Sequence, residues 1–170
     1  MPQIVHKKWS INAPAPQRFM NSYPELPETV KQLLYDRGIS EESKIEEFLN
    51  PDYAHDVHDP FLFKDMHKAV DRLKTAIESR ELITIHGDYD ADGVCASVIL
   101  TNTLKVLGAS TNIYLPHRET DGYGLNEKTV RGLAQSGTKI IITCDCGISN
   151  GEEIAIANSL GIETIITDLH

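Results

Sequence analysis

Four short β-branched runs, residues 82–86, 112–115, 139–143 and 162–167, recur down the second half of this chain with a helical stretch between each and the next. They are Ile-rich and nearly continuous rather than alternating, the pattern of strands covered on both faces. Helices are predicted over about 94–107, closed by Gly108, and from about 127 under an Asn126 cap to Gly137. A third opens at Ser149-Asn150-Gly151-Glu152, which has capping-box spacing. Ahead of the first run, Met66, Ala69, Val70, Leu73, Ala76 and Ile77 form one apolar helical face. This alternation predicts an α/β fold with a doubly wound parallel sheet.

In such a sheet the ligand crevice lies beyond the carboxyl ends of the strands. The residues found there are acidic. After the first run comes His86-Gly87-Asp88-Tyr89-Asp90-Ala91-Asp92-Gly93, after the third Cys144-Asp145-Cys146-Gly147, and after the fourth Asp168-Leu169-His170. Three carboxylates packed into one turn repel each other, and no Lys or Arg lies among them. A divalent cation would relieve that repulsion. Hard cations such as Mn2+ and Mg2+ prefer carboxylate oxygen, and Mn2+ also accepts imidazole. His86, Asp90 and Asp92 can offer ligands to two ions, with Asp145 bridging from the third strand. Asp88 either coordinates or orients the turn, and Asp168 and His170 stand at the same edge. Taken alone, such a loop also suits a solvated Asx-turn cluster, and it is the convergence of three turns that favours metal.

The loop 116–124 leaves the second run toward the same edge. Arg118 there suits a phosphate clamp and Tyr123 a stacking contact with a base or ribose; an ordinary surface loop is the alternative. Cys144 and Cys146 flank Asp145, but Cys-x-Cys without a second pair is weak evidence for zinc, and strand alternation turns both thiols from Asp145. Small buried hydrophobes are expected there.

Residues 1–60 read as a separate preface and 61–170 as the α/β domain. Residues 1–23 carry Pro14 and Pro16 with few periodic apolars, so an irregular surface path is expected, anchored by Trp9. Pro27 opens a helix that stops at Gly38, and Ser40 is placed to cap a second, ended by Pro51. His55, His58 and His67 read as structural or solvent-facing. Three cysteines form no disulfide framework, so a reducing cytoplasm is expected. No apolar run nears the roughly 20 residues of a membrane span, and no signal-peptide pattern opens the chain. A net charge of -9 argues against a generic nucleic-acid binder but not against an enzyme whose acidic groups hold ions.

These motifs resemble the DHH phosphoesterase superfamily, and within it the RecJ-type single-strand exonucleases. His86 to Gly93 is similar to the first family motif and Asp145-Cys146-Gly147-Ile148 to the second, while Asp168-Leu169-His170 stands at the Asp-His-His triplet. Arg37-Gly38-Ile39, Phe48-Leu49-Asn50-Pro51, Asp59-Pro60-Phe61 and Gly122-Tyr123-Gly124-Leu125 resemble the RecJ branch. The resemblance implies a two-ion Mn2+ or Mg2+ site, with His86, Asp90, Asp92 and Asp145 as ligands and His170 on metal or scissile phosphate. It implies 5′-to-3′ hydrolysis of single-stranded DNA in repair and recombination, alongside single-strand-binding protein and a helicase. Leu169 departs from the triplet, because leucine cannot coordinate. The resemblance also implies a continuation bearing a further metal-binding aspartate and a second domain, so little nuclease activity is expected of these 170 residues alone. Two other readings remain: a DHH-type hydrolase of oligonucleotides, cyclic dinucleotides or pyrophosphate, and a non-catalytic scaffold.

Overall fold

The computed structural model describes Lys8 and residues 10–168. Trp9, Leu169 and His170, each singled out above, lie outside the described residues. The chain divides into two compact units between Asp59 and Pro60.

In the first unit, α1 (Gln17–Ser22), α2 (Glu28–Asp36) and α3 (Glu42–Leu49) enclose a small core of Ala15, Phe19, Leu34 and Ile45. Phe19 is the centre of it, with its ring 5.6 Å from Tyr23 and 5.4 Å from Tyr35. Two expectations are corrected here. Part of the opening stretch is helical rather than irregular, because Pro16 pre-sets the backbone at the helix entrance and Phe19 gains a core to bury in. Gln32 on α2 also ties that stretch down, accepting from the Ala15 N–H and donating to the Ala13 carbonyl. Glu41, not Ser40, stands at the N-cap of α3, and it makes no side-chain capping bond.

The second unit runs from a 3-10 turn (Pro60–Leu62) through α4 (Met66–Glu78), β1 (Leu82–Gly87), α5 (Ala91–Val106), β2 (Ser110–Tyr114), α6 (Glu127–Gln135), β3 (Thr138–Cys144), α7 (Gly151–Ser159) and β4 (Glu163–Thr167). All strand pairings are parallel, in the order β2-β1-β3-β4. This is the α/β, doubly wound arrangement expected. Its first crossover runs from β1 to β2 in one direction and the next from β2 past β1 to β3 in the other. Because such crossovers are right-handed, the helices divide between the two faces. Ile83, Ile85, Ile140, Ile142 and Cys144 pack with Ala76 of α4 and Leu104 of α5 on one face. On the other, Ile141 packs with Val130 and Leu133 of α6 and Ala157 of α7. The strand order reverses between β1 and β3, and that is where the crevice of a doubly wound sheet opens.

Only the two central strands are covered on both faces. β1 and β3 are buried almost throughout, whereas the edge strands β2 and β4 are largely half-buried or exposed. Continuous coverage of all four runs was too broad an expectation, since an edge strand lacks a neighbour and borders the rim of both helical layers. Asn126 caps α6 by accepting from the Thr129 N–H. The capping box of Ser149 with Glu152 does not form, because Asn150 rather than Ser149 takes the N-cap position of α7, and its side chain binds Leu125, 25 residues away, and Glu153.

Candidate metal centre

The site is assembled at the carboxyl ends of β1 and β3. β1 carries His86 inward on the face of Thr84, fully buried, and its ring stacks on Tyr114, its register partner on β2, at 5.3 Å and 24°. Tyr114 is held in turn by a hydrogen bond from its hydroxyl to Asp121. The imidazole Nδ1 lies 3.7 Å from Cys146 Sγ. Its Nε2 is buried and has no hydrogen-bond partner among the described residues. Burial lowers the pKa of His86 to about 4, outweighing its own carbonyl and Asp121, so the ring is neutral near pH 7 with a lone pair on offer.

The chain then turns back on the first turn of α5. Asp88 N–H donates to the Cys144 carbonyl, extending the pairing of β1 with β3 by one bond. Asp90 is the N-cap of α5: its Oδ1 accepts from the Asp92 and Gly93 N–H groups, each at 3.0 Å. Room for this fold-back comes from two glycines. A Cβ on Gly87 would stand 2.2 Å from Ser97 Oγ, and one on Gly93 2.5 Å from Asp88 N.

From β3, Asp145 enters the same space. Carboxylate oxygens of Asp88, Asp90 and Asp145 all fall within 4.8 Å of one another. Asp88 Oδ1 is buried and, among the described residues, without a hydrogen-bond partner. Asp92 stands exposed on the first turn of α5, outside this group. Asp168, after β4, accepts a hydrogen bond from the Ile148 N–H at 3.0 Å and so ties the end of β4 to the turn after β3. Three clustered carboxylates, one of them buried with an unpartnered oxygen, are a donor set that fits a hard divalent cation; His86, whose buried Nε2 is also unpartnered among the described residues, does not fall within that group.

The loop 115–125 closes one side. Arg118 lies over the Tyr89 ring, 5.3 Å from its centroid, so the guanidinium stacks on the acidic turn itself. Tyr123 is 52% exposed, and its hydroxyl donates to the Asp145 carbonyl at 3.2 Å. Partial burial, then the charges of Asp168, Asp88 and Asp145, raise the pKa of its phenol, so it stays protonated and donates. Sequence reasoning missed the Tyr89–Arg118 stack and the clamp of Asn150 on Leu125, contacts that no local pattern announces. Cys144 and Cys146 are both buried, and burial pushes the Cys146 thiol up to about 12, which keeps it un-ionised.

Residues 82–170 match the N-terminal domain of the DHH family. The chain belongs to the DHH family. Of its relatives in that family, the single-stranded-DNA-specific exonuclease RecJ of Bacillus subtilis is 39% identical over 165 residues, covering 96% of this chain and 21% of that protein. A solved structure of exonuclease RecJ bound to manganese superposes with a TM-score of 0.60 at 36% identity, over 63% of this chain and 28% of that one. A second, of RecJ in complex with Mn2+ from Thermus thermophilus, gives 0.58 at 27% identity over 90% of this chain and 20% of that one. The chain spans about a fifth of the length of the curated relatives it matches. No described helix is long and apolar enough to cross a membrane.

The His86 environment has a consequence for stability within this DHH domain. In the unfolded chain the imidazole titrates near 6.5, and in the fold near 4. Between those values the unfolded state binds the extra proton, so stability is full above about pH 6.5 and falls as pH drops toward 4. The loss from this one group amounts to about 3 kcal/mol. Urea unfolding across pH 7 to 4 should show that slope, and His86→Asn should flatten it; an equal slope in both proteins rules the imidazole out as its source.

Proposed function

We propose that this chain supplies the metal-binding region of a 5′-to-3′ single-stranded-DNA exonuclease of RecJ type. The observation that carries this reading is the meeting of Asp88, Asp90 and Asp145 within 4.8 Å after β1 and β3, with β1 also carrying buried His86 and its partnerless Nε2. The two RecJ structures compared above were solved with manganese. Mn2+ or Mg2+, in a two-ion arrangement, suits the oxygen-rich set. His86, Asp90 and Asp145 are its principal ligands, with Asp88 added by its burial, Asp92 and Asp168 as secondary candidates, and His170 a candidate by resemblance alone. Bound ions of this kind activate water and stabilise charge on a phosphoryl centre.

The remaining roles belong to side chains of the chain itself. Neutral His86 needs no deprotonation to act as a ligand at pH 7. Arg118, stacked on Tyr89, is placed to hold a backbone phosphate next to the acidic group, and the exposed ring face of Tyr123 offers a base a surface to stack on. Single-stranded DNA is the substrate, with single-strand-binding protein and a helicase as working partners in the cytoplasm. The test is Mn2+-dependent release of mononucleotides from end-labelled single strands by the native protein. Loss from the 5′ end, abolished by Asp90→Ala, is the expected result. Wild-type turnover in Asp90→Ala would sink the assignment of the site, and digestion from the 3′ end the assignment of polarity.

A further inference from the structure

The turn after β3 has a strained backbone that is held from outside. Asp145 has φ 61°, a left-handed conformation that among described non-glycine residues is shared only by Arg80. L-residues enter that region at a steric cost, which aspartate bears better than most. The residue breaks the alternation of β3, and its carboxylate falls among those of Asp88 and Asp90. Both flanking peptide groups are fastened to other segments. The Asp145 N–H donates to the Thr167 carbonyl at the end of β4 at 2.9 Å, and the Asp145 carbonyl accepts from the Tyr123 hydroxyl.

Tyr123 arrives there on a braced loop. Asn150 donates from Nδ2 to the Leu125 carbonyl at 3.0 Å and accepts from the Leu125 N–H at 3.1 Å, and its own N–H donates to the Gly147 carbonyl. Gly124, at φ 76°, leaves the space for this clamp, since a Cβ there would stand 2.5 Å from Asn150 Oδ1. The loop after β2 and the turn after β3 are therefore joined at two points, one of them a hydroxyl on the peptide of a site carboxylate.

We propose that Tyr123 is a positioning residue whose hydroxyl holds the Asp145 peptide in the left-handed conformation that delivers its carboxylate to the Asp88–Asp90 group. The inference rests on reading that group as a metal site. It makes the loop that carries Arg118 and the metal ligand one mechanical unit, so a ligand that shifts the loop shifts metal affinity, and by linkage metal shifts affinity for that ligand.

Tyr123→Phe keeps the ring and removes only the hydroxyl, whereas Tyr123→Leu removes both. Mn2+ dissociation constants of the 170-residue chain, measured by calorimetry, are compared with backbone resonances of Asp145 and Cys146 in the metal-free proteins. Loss of one hydrogen bond should weaken Mn2+ binding about three- to tenfold in Tyr123→Phe, with the Asp145–Cys146 peptide resonances displaced. Tyr123→Leu should be no worse than Phe for metal. A Phe variant that binds Mn2+ as the wild type does, or leaves those resonances in place, overturns the positioning role and leaves ring stacking as the residue's use. A wild-type chain that takes up no Mn2+ overturns the metal reading itself, and this inference with it.

Discussion

Asp90→Asn should weaken Mn2+ binding by on the order of a hundredfold while leaving the metal-free fold as stable as the wild type or more so. The two effects separate because Asp90 has two jobs. One oxygen, Oδ1, caps α5 through the Asp92 and Gly93 N–H groups. An asparagine carbonyl oxygen caps a helix about as well as a carboxylate does. The second job is to bring negative charge to the Asp88–Asp145 pair, and asparagine cannot do that. Removing one of three mutually repelling charges favours the metal-free fold and disfavours the metal-bound one. Asp90→Ala loses the cap as well, at about 1 kcal/mol. At a Mn2+ concentration 100 times its dissociation constant, the wild type gains about 2.7 kcal/mol of stability, and the Asn variant should gain only about 0.4 kcal/mol. Calorimetry and urea unfolding with and without Mn2+ give both quantities. An Asn variant that binds Mn2+ within a few-fold of wild type would remove Asp90 from the ligand set.

The fold was legible because the two central strands announce themselves. Ile83, Ile85, Ile140, Ile141 and Ile142 are buried on both faces of the sheet, and nothing but a covered strand explains such runs. Handedness then assigns each connecting helix to a face, but the strand order that puts the turns after β1 and β3 beside one another emerges only in the structure. Which carboxylates meet within those turns was not legible. It depends on where α5 begins: with Ala91 as its first residue, Asp90 becomes the cap, Asp92 rides out on the helix, and Asp88 stays buried against β3. A one-residue shift in the helix start would exchange those positions, and sequence patterns place helix ends no better than that. Long-range contacts were hidden for a different reason. Asn150 displaces Ser149 from the expected cap position, and its side chain binds Leu125 as well as Glu153, because a buried loop backbone must find partners wherever tertiary structure supplies them. The opening stretch failed in the same way, as its short helix is stabilised by the Phe19 core rather than by its own propensity.

Gly93→Ala should be the most damaging single-methyl change in the α/β unit, destabilising it by about 3 kcal/mol. Helix propensity alone argues for the opposite sign, because glycine inside a helix is worse than alanine by roughly 1 kcal/mol. Sterics decides the outcome. The new Cβ would stand 2.5 Å from Asp88 N and 2.7 Å from both Asp88 Cα and Cβ, and these are main-chain neighbours that no rotamer change can clear. Nor can Asp88 retreat freely, since its N–H is bonded to the Cys144 carbonyl on β3. The strain therefore passes into the β1–β3 pairing or displaces Asp88 from Asp90 and Asp145, and either route also weakens Mn2+ binding. Gly132→Ala on α6 is the matched comparison. Nothing lies within 4 Å of a Cβ there, so propensity acts unopposed and the variant should gain about 0.5–1 kcal/mol. Urea midpoints of the two variants should move in opposite directions from the wild type. A Gly93→Ala protein as stable as Gly132→Ala would mean that the turn after β1 does not fold back on α5, and the juxtaposition of Asp88 with Asp90 and Asp145 would fall with it.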